Sequence, residues 1–510
     1  MALPRKQHDY SEAMIIASLL FLTLWIRIST QMIIHTGVDE RDYWYAAKAL
    51  SQGLPYPRLT HRTVRWAIIL PVAALQKLFG IHPNVYYVAP LLNALVQTFL
   101  LYRLGKSLGG RFAGVLSALM LIVFPYQIRA ASQVRPEIFS ITYMLLCACL
   151  LVPALNRDGR GRVRLIVASS LAMFLAYETK ITNLFFLPGV FIALLLYGGK
   201  TRIRDCFTFG LPLLALFVAE TAVYAAFTEF SFGQLSVITA NHLSSDYADP
   251  LSSYWQVFLR YTPEYLQLYW QLPIAAFAAA GAYYLTRKKN HELKTLVIMG
   301  FSFIFCITFA VSHTDPIMVA EDFINRYFCA LLPFAFIVIA RVLRDAAAKL
   351  APKALDRANS ASALPYALSA GALSLAVSVL FSLPIVPDSA KEFAHSPLRP
   401  ETHPFATTAG YYRELNNAWN AGVPVLSAEG NGGEDAAQTV CKYFLDLDAY
   451  NDGGAPEPAR ATENGTEVYI VSKDGGVQGE TFIQAVRFPF RISTVPLSRI
   501  SEIDSERSIQ

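Results

Sequence analysis

Three carboxylates stand together directly after the first long apolar stretch of the chain. Met14 to Ile34 leads into Gly37-Val-Asp-Glu-Arg-Asp-Tyr-Trp-Tyr45, which puts Asp39, Glu40 and Asp42 at the mouth of a membrane helix. Carboxylates there are costly to solvate, which makes them functional candidates. One held at a lipid-facing cleft can act as general base on a hydroxyl or amine. Asp39 and Asp42 share a face if a helix starts here. A structural role is open too, because acidic groups favour the first turn of a helix. Later segments add Arg135 and Glu137 in Gln133-Val-Arg-Pro-Glu137, then Glu178 and Lys180, then Arg326 in Asn325-Arg-Tyr327. Cations beside apolar runs can hold a phosphate, Arg bidentately, or can snorkel as interfacial anchors.

The elements that must position these residues are membrane helices. Of 510 residues, 54% are hydrophobic and 16% charged, where an average soluble domain has about 25% charged. Apolar blocks near the length of about 20 residues that crosses a hydrocarbon core fall at about 14–35, 84–104, 112–127, 138–155, 163–179, 181–197, 206–228, 266–286, 294–312, 327–343 and 363–385. The fold class expected is a polytopic α-helical membrane protein of about eleven transmembrane helices. The first run is longer than the apolar core of a signal peptide, about 7–15 residues, and reads as an uncleaved signal-anchor. The basic loops Arg103–Arg111, Arg157–Arg164, Lys200–Arg204, Arg287–Lys289 and Arg341–Arg357 all fall on the side of Arg5 and Lys6. By the positive-inside rule that side is cytoplasmic and the C-terminus extracytoplasmic. The net charge of +5 is spread over these loops and gives no nucleic-acid signature.

The opposite face collects the carboxylates, Lys180, Arg135 and Arg326. The segment Val64 to Phe79 reads as an interfacial helix within a first outer loop, 36–83, preceded by another from about Arg41 to Gln52. Residues 1–386 form the expected membrane domain. From about Pro387 the long apolar runs stop. Val423-Pro-Val-Leu426, Val468-Tyr-Ile-Val471 and Arg491-Ile-Ser-Thr-Val495 read as strands, and Thr407 to Asn420 as a helix, giving a small extracytoplasmic α/β domain over 387–510.

Other polar clusters carry less. Five of six cysteines lie in apolar blocks, so no disulfide framework is implied. His242, Asp246 and Asp249 read as a solvated loop, and Gly430-Asn-Gly-Gly433 lacks phosphate-loop and dinucleotide fingerprints. Asn464-Gly-Thr466 matches a common glycosylation triplet. Glu220 and Arg27 fall within spans and are expected to face a cavity, each other or backbone.

Taken in order, the outer-face motifs resemble those of GT-C membrane glycosyltransferases. They run through Gly37-Val-Asp-Glu-Arg-Asp-Tyr43 with Ala47, Leu50 and Gly53, then Leu78-Phe-Gly80, Leu104-Gly-Lys to Gly110-Arg111 and Phe124-Pro125. Glu137, Ala176-Tyr-Glu-Thr-Lys180 with Pro188, and Asn325-Arg-Tyr327 with Pro333 follow. The resemblance is nearest the branch holding protein O-mannosyltransferases and the aminoarabinose transferases of lipid A, and covers about the first 340 residues. A second branch uses His-Pro-Asp-Glu, and His35-Thr-Gly-Val-Asp39 lacks that adjacency. The resemblance implies Asp39 as catalytic base with Glu40 as its acidic neighbour. It implies Glu137, where many relatives have Asp, as a group for an acceptor or a metal, and Asp42 beside the base is a second candidate for that role. It implies Lys180 and Arg326 as groups for the donor phosphate, and Arg135, a further cation on the same face, is a candidate for it too. The cofactor stays open, with a divalent metal ion as one option.

The function expected is transfer of a sugar from a polyprenyl-phosphate donor to a glycan, lipid or protein acceptor on the extracytoplasmic face, with inversion. The setting expected is a bacterial inner membrane rather than an endoplasmic reticulum. A base opposite the leaving group and cations at the phosphate are what such a step needs. The alternatives are a transporter or flippase of lipid-linked sugars and a membrane-anchored sensor. A transporter is expected to show repeated halves and midplane charges, whereas here the charges gather at one face. Orientation can be checked directly. A cysteine introduced at Gly198 should resist membrane-impermeant reagents added outside, and Cys441 should react if exposed; outside labelling at 198 would invert the assignment.

Overall fold

Apolar runs become helices, and the backbone between them is held by side chains from neighbouring elements. The computed structural model describes residues 5–29, 38–81, 83–243, 255–287, 290–314, 317–319, 325–353 and 355, and four strands in the tail at 425–427, 467–473, 480–483 and 490–496. The order begins α1 (Arg5–Ser29), α2 (Val38–Gln52), α3 (Trp66–Phe79), α4 (Pro83–Val123), α5 (Pro125–Ala130), α6 (Pro136–Ala154) and α7 (Gly159–Thr179). A 3-10 turn (Ile181–Phe186) leads into α8 (Leu187–Tyr197), followed by α9 (Arg202–Phe227), α10 (Gly233–Leu243), α11 (Gln256–Leu259), α12 (Leu268–Thr286) and α13 (His291–Phe309). A hairpin of β1 (Val311–Thr314) and β2 (Ile317–Val319) and a 3-10 helix (Asn325–Leu331) precede α14 (Leu332–Leu350).

Among the described residues, five helical stretches are long and apolar enough to cross a membrane: 85–123, 136–154, 199–227, 291–309 and 325–350. The chain is a multi-pass membrane protein. Helices α1, α7, α8 and α12 occupy four further expected positions, and the segment 363–385 lies outside the described residues. Helix α9 exposes Ile203, Phe207, Leu211, Leu214, Val218, Val223 and Phe227, a surface that suits hydrocarbon rather than water.

The expected spans 84–104 and 112–127 are two arms of α4, folded back on each other at Gly110. Its φ of 78° and ψ of −178° fall in a region that only glycine occupies without strain. The arms pack so closely that a Cβ at Gly114 would meet the Tyr102 carbonyl oxygen at 2.7 Å. Arg341 of α14 donates to the Leu108 carbonyl, one of the acceptors that a helix end leaves without an intrahelical donor.

The two short helices of the outer loop are anchored rather than loosely interfacial. Helix α2 begins at Val38, three residues before the expected start, so Asp39 and Glu40 lie in its first turn. Its Tyr43, Trp44, Ala46 and Ala47 pack with Ile68, Ile69 and Val72 of α3, Tyr86 and Ala89 of α4, and Ile138 and Phe139 of α6. Pro71 inside α3 has no N–H for the Ala67 carbonyl, and the Tyr143 hydroxyl donates to that oxygen at 3.3 Å. Glu220 of α9 accepts a bond from the Gln234 backbone N–H at 2.7 Å and so caps the start of α10. Arg27 donates to the Leu121 carbonyl at 3.4 Å. Of the three partners expected for Glu220 and Arg27, backbone is the one each takes.

In the tail, β3 (Val425–Ser427), β4 (Glu467–Lys473), β5 (Glu480–Ile483) and β6 (Phe490–Pro496) form a mixed sheet in the order β3-β4-β6-β5. The β3–β4 pair is parallel and the others antiparallel. The expected helix 407–420, and Asp246 and Asp249, lie outside the described residues, while His242 falls on α10.

Gly110→Ala tests the hairpin. Nothing lies within 4 Å of a Cβ there, so the cost is backbone strain of about 1–3 kcal/mol. The expected result is a lower thermal midpoint in detergent with expression retained; an unchanged midpoint would argue against the fold-back.

Candidate active site

Four separate stretches of chain meet at one end of the bundle. Helix α2 brings Asp39, Glu40 and Asp42. The turn before α6 brings Arg135, and the first turn of α6 brings Glu137. Lys180 sits where α7 stops and the backbone turns extended, with φ −163° and ψ 122°. Asn183 pins that break by donating to the Ala176 carbonyl at 2.7 Å and to Ser140 Oγ at 2.9 Å. Arg326 and Tyr327 open the 3-10 helix before α14, whose Phe328, Cys329, Ala330 and Leu331 are buried.

The charges interlock. Asp39 Oδ1 accepts a bond from Arg62 Nε at 2.6 Å, and its Oδ2 one from Arg326 Nη1 at 3.3 Å. Arg62 also reaches Asp42 Oδ2 at 3.1 Å, so the shared face of Asp39 and Asp42 is clamped by one guanidinium. Glu40 is fully buried and pairs with Arg135. Glu137, 1% exposed, faces the Lys180 ammonium at 3.5 Å. Lys180 Nζ in turn lies 3.7 Å from the centre of the Tyr327 ring, with the Arg326 guanidinium 5.8 Å from the same ring. Arg326 also feels the charge of Glu137. It therefore stands between the carboxylate of α2 and that of α6.

Burial drives the Asp39 carboxyl upward, but Arg62, Arg326 and Arg65 outweigh it and hold the group below the usual carboxylate range. For Glu40, burial wins over Arg135 and the carboxyl is raised. Adjacent carboxylates are thereby separated, Asp39 toward the ionised form and Glu40 toward the protonated one.

The expected site residues Asp39, Glu40, Asp42, Glu137, Lys180, Arg326 and Arg135 all fall in this network. Arg135 lies on Glu40, whereas Lys180 and Arg326 share the aromatic face of Tyr327. Arg62 was not legible from the sequence. It sits in an irregular loop, and only the loop's internal bonds place it. Tyr56 Oη donates to the Thr63 carbonyl at 2.6 Å, Thr63 Oγ1 to the Arg58 carbonyl at 2.9 Å, and the Tyr56 ring lies 5.4 Å from that of Trp66. Among the described residues no three His, Cys, Asp or Glu side chains come together to hold a metal ion, and the rim carboxylates Asp39, Glu40, Asp42 and Glu137 each face a cation.

Residues 66–224 match the family model described as dolichyl-phosphate-mannose-protein mannosyltransferase; this stretch holds Arg135, Glu137 and Lys180. No curated protein matches the sequence. The fold is similar to that of ArnT from Cupriavidus metallidurans in the apo state, with TM-score 0.54 and 13% identity over 98% of this chain and 99% of that one. The crystal structure of ArnT bound to undecaprenyl phosphate gives TM-score 0.53 and 12% identity over 94% and 97%. The Archaeoglobus fulgidus oligosaccharyltransferase in the apo form is similar at TM-score 0.53 and 10% identity, over 85% of this chain and 64% of that one. Family match and shared fold together show that the chain resembles the GT-C membrane glycosyltransferases, on the side of ArnT and the protein mannosyltransferases.

Proposed function

We propose that the chain is an inverting glycosyltransferase that moves a sugar from a polyprenyl-phosphate donor to an acceptor on the extracytoplasmic face. One observation carries the reading: a carboxylate, Asp39, shares a guanidinium with a cation pair on Tyr327, at the membrane end of an apolar bundle. The crystal structure of the similarly folded ArnT with undecaprenyl phosphate supports a lipid phosphate as ligand. Loop basicity supports the outer face. Residues 1–386 would be the catalytic membrane domain, and the mixed sheet of the tail supports a small separate domain over 387–510.

In this reading Asp39 takes the proton of the acceptor hydroxyl or amine as that group bonds to the anomeric carbon. The bond from that carbon to the phosphate oxygen breaks on the opposite side, and the polyprenyl phosphate leaves with the electron pair. Lys180 and Arg326 meet its growing negative charge. When the phosphate draws Arg326 away, Asp39 loses one of the cations that weaken it as a base, so the donor prepares the base. Arg62 keeps the carboxylate oriented meanwhile.

The assay is release of free polyprenyl phosphate from a panel of polyprenyl-phosphate sugars, which a flippase would leave intact. Asp39→Asn should fold and express normally while losing a factor of about 10²–10⁴ in rate. Near-normal turnover would move the base to Glu40 or Asp42, and near-normal turnover with all three replaced would sink the mechanism. A base must be ionised, so activity should be present above the Asp39 pKa and fall as pH drops through it. Because Arg62, Arg326 and Arg65 lower that pKa, the acid limb of the free enzyme should lie below the usual carboxylate range.

Donor titration at saturating acceptor tests the cations. Arg326→Ala and Lys180→Ala should each weaken donor binding and slow turnover, with acceptor affinity little changed. Arg326→Lys should rescue only in part, since an ammonium lacks the two-pronged geometry. Donor affinity and turnover unchanged in both alanine variants would make these residues interfacial anchors.

A further inference from the structure

We infer that Tyr224 of α9 and the short helix α10 are a positioning element for the base: through Trp66, Tyr56 and Thr63 they hold the Arg62 loop where its guanidinium spans Asp39 and Asp42. The inference rests on the reading of Asp39 as base above. It deepens that reading by naming what keeps the base oriented from a membrane helix outside the charged network.

Arg62 lies in the irregular stretch 53–65 between α2 and α3, so no helix fixes its direction. The loop shapes itself locally. The Arg62 N–H donates to Thr60 Oγ1 at 3.3 Å, the Arg62 carbonyl accepts from the Arg65 N–H at 3.3 Å, and the Thr60 N–H donates to Thr63 Oγ1 at 2.8 Å. Such bonds give a loop its form without saying where it sits. Its place is set from outside. Trp66 Nε1 donates to Tyr224 Oη at 2.9 Å, across 158 positions of sequence. The Trp66 ring stacks on Tyr56, and the Tyr56 hydroxyl donates to the carbonyl of Thr63, the residue after Arg62. An unbroken run of contacts therefore leads from α9 to the guanidinium that bonds Asp39 at 2.6 Å and Asp42 at 3.1 Å.

A small apolar core backs this run. Val64 and Tyr224 pack with Val237 and Ile238 of α10, and Leu59, Ile181 and Phe230 close around them. Leu59 and Val64 flank Arg62 on the chain, and Ile181 follows Lys180. Helix α10 is itself fixed at its start. Glu220 of α9 takes the Gln234 N–H, and Gln234 Nε2 donates to the Tyr177 carbonyl of α7 at 3.3 Å. The support matters because the pair it delivers is weak. The Arg62 side chain is 26% exposed and that of Asp39 23%, and a partly exposed ion pair holds little by itself. The backbone that carries the guanidinium must be held by other contacts, and these are they.

The experiment uses the full chain in lipid nanodiscs. Tyr224→Phe and Tyr56→Phe keep the rings and remove one hydroxyl each. Turnover is read as undecaprenyl phosphate released from undecaprenyl-phospho-mannose or undecaprenyl-phospho-glucose. Both variants should lower it about 10-fold, the scale of one hydrogen bond, with KM for the donor lipid unchanged because the apolar packing on Ile181 is kept. Arg62→Gln has already lost the contact, so adding Tyr224→Phe to it should cost nothing more, which a double-mutant cycle reads as coupling. The same 10-fold loss in the Arg62→Gln background is what general packing would give, and it overturns the inference. Amide hydrogen exchange gives a readout without turnover, since the Thr60, Arg62 and Thr63 N–H groups are all bonded within the loop. Their exchange should speed up in Tyr224→Phe and Tyr56→Phe and stay at the wild-type value in Arg62→Gln. Wild-type exchange in both tyrosine variants overturns the support whatever the donor. Full turnover in Asp39→Asn, or a wild-type protein inactive on both lipids, would instead count against the base or donor reading, and loop exchange then decides the support by itself.

Discussion

The contact between Arg326 and Asp39 joins residues 287 positions apart in sequence, and the site depends on it. At the edge of an apolar bundle a paired ion is cheaper than an unpaired one, and each charge has a second partner, Arg62 for Asp39 and Glu137 for Arg326. Pairing fixes where the first turn of α2 must lie relative to the start of α14. It also links Asp39 to the cations on the Tyr327 ring through one guanidinium. A ligand that competed for Arg326 would change the basicity of Asp39.

That coupling works only if the surrounding backbone is rigid. In a membrane, polar backbone groups must find partners inside the protein, and several are found across elements. Tyr143 serves the carbonyl that Pro71 leaves without a donor, Arg341 serves the end of the first arm of α4, and Glu220 caps α10. That last contact ties the short helix α10 to membrane helix α9. The loop carrying Arg62 is in turn held between α2 and α3, which is how an irregular segment delivers a guanidinium to Asp39.

Much of this was legible in the sequence because apolar length and loop charge are local properties. The helical positions of α1, both arms of α4, α6 to α9 and α12 to α14 follow from runs of apolar residues that need no partner to be recognised. The grouping of Asp39, Glu40 and Asp42 followed from their position behind the first run. Lys180 and Arg326 stood out as cations on the side where loop charge does not place them. The start of α2 at Val38 was missed because the acidic first turn offers no apolar periodicity to mark it.

Tertiary structure decided which charge meets which. Coulombic pairing acts over a few ångströms, and sequence spacing does not predict separations of that size between distant segments. So Arg135 proves to lie on Glu40, Lys180 on Glu137 and Tyr327, and Arg62 across Asp39 and Asp42. The bond from Trp66 to Tyr224 gave no signal at all in the sequence, where they are two more aromatic residues in apolar surroundings. Composition determined that the chain is a membrane bundle with its acids and cations at one end. Only the packing of α2, the Arg62 loop and the start of α6 against the break after α7 and the start of α14 decided that those groups come together, because a site is a matter of distance and the sequence records only order.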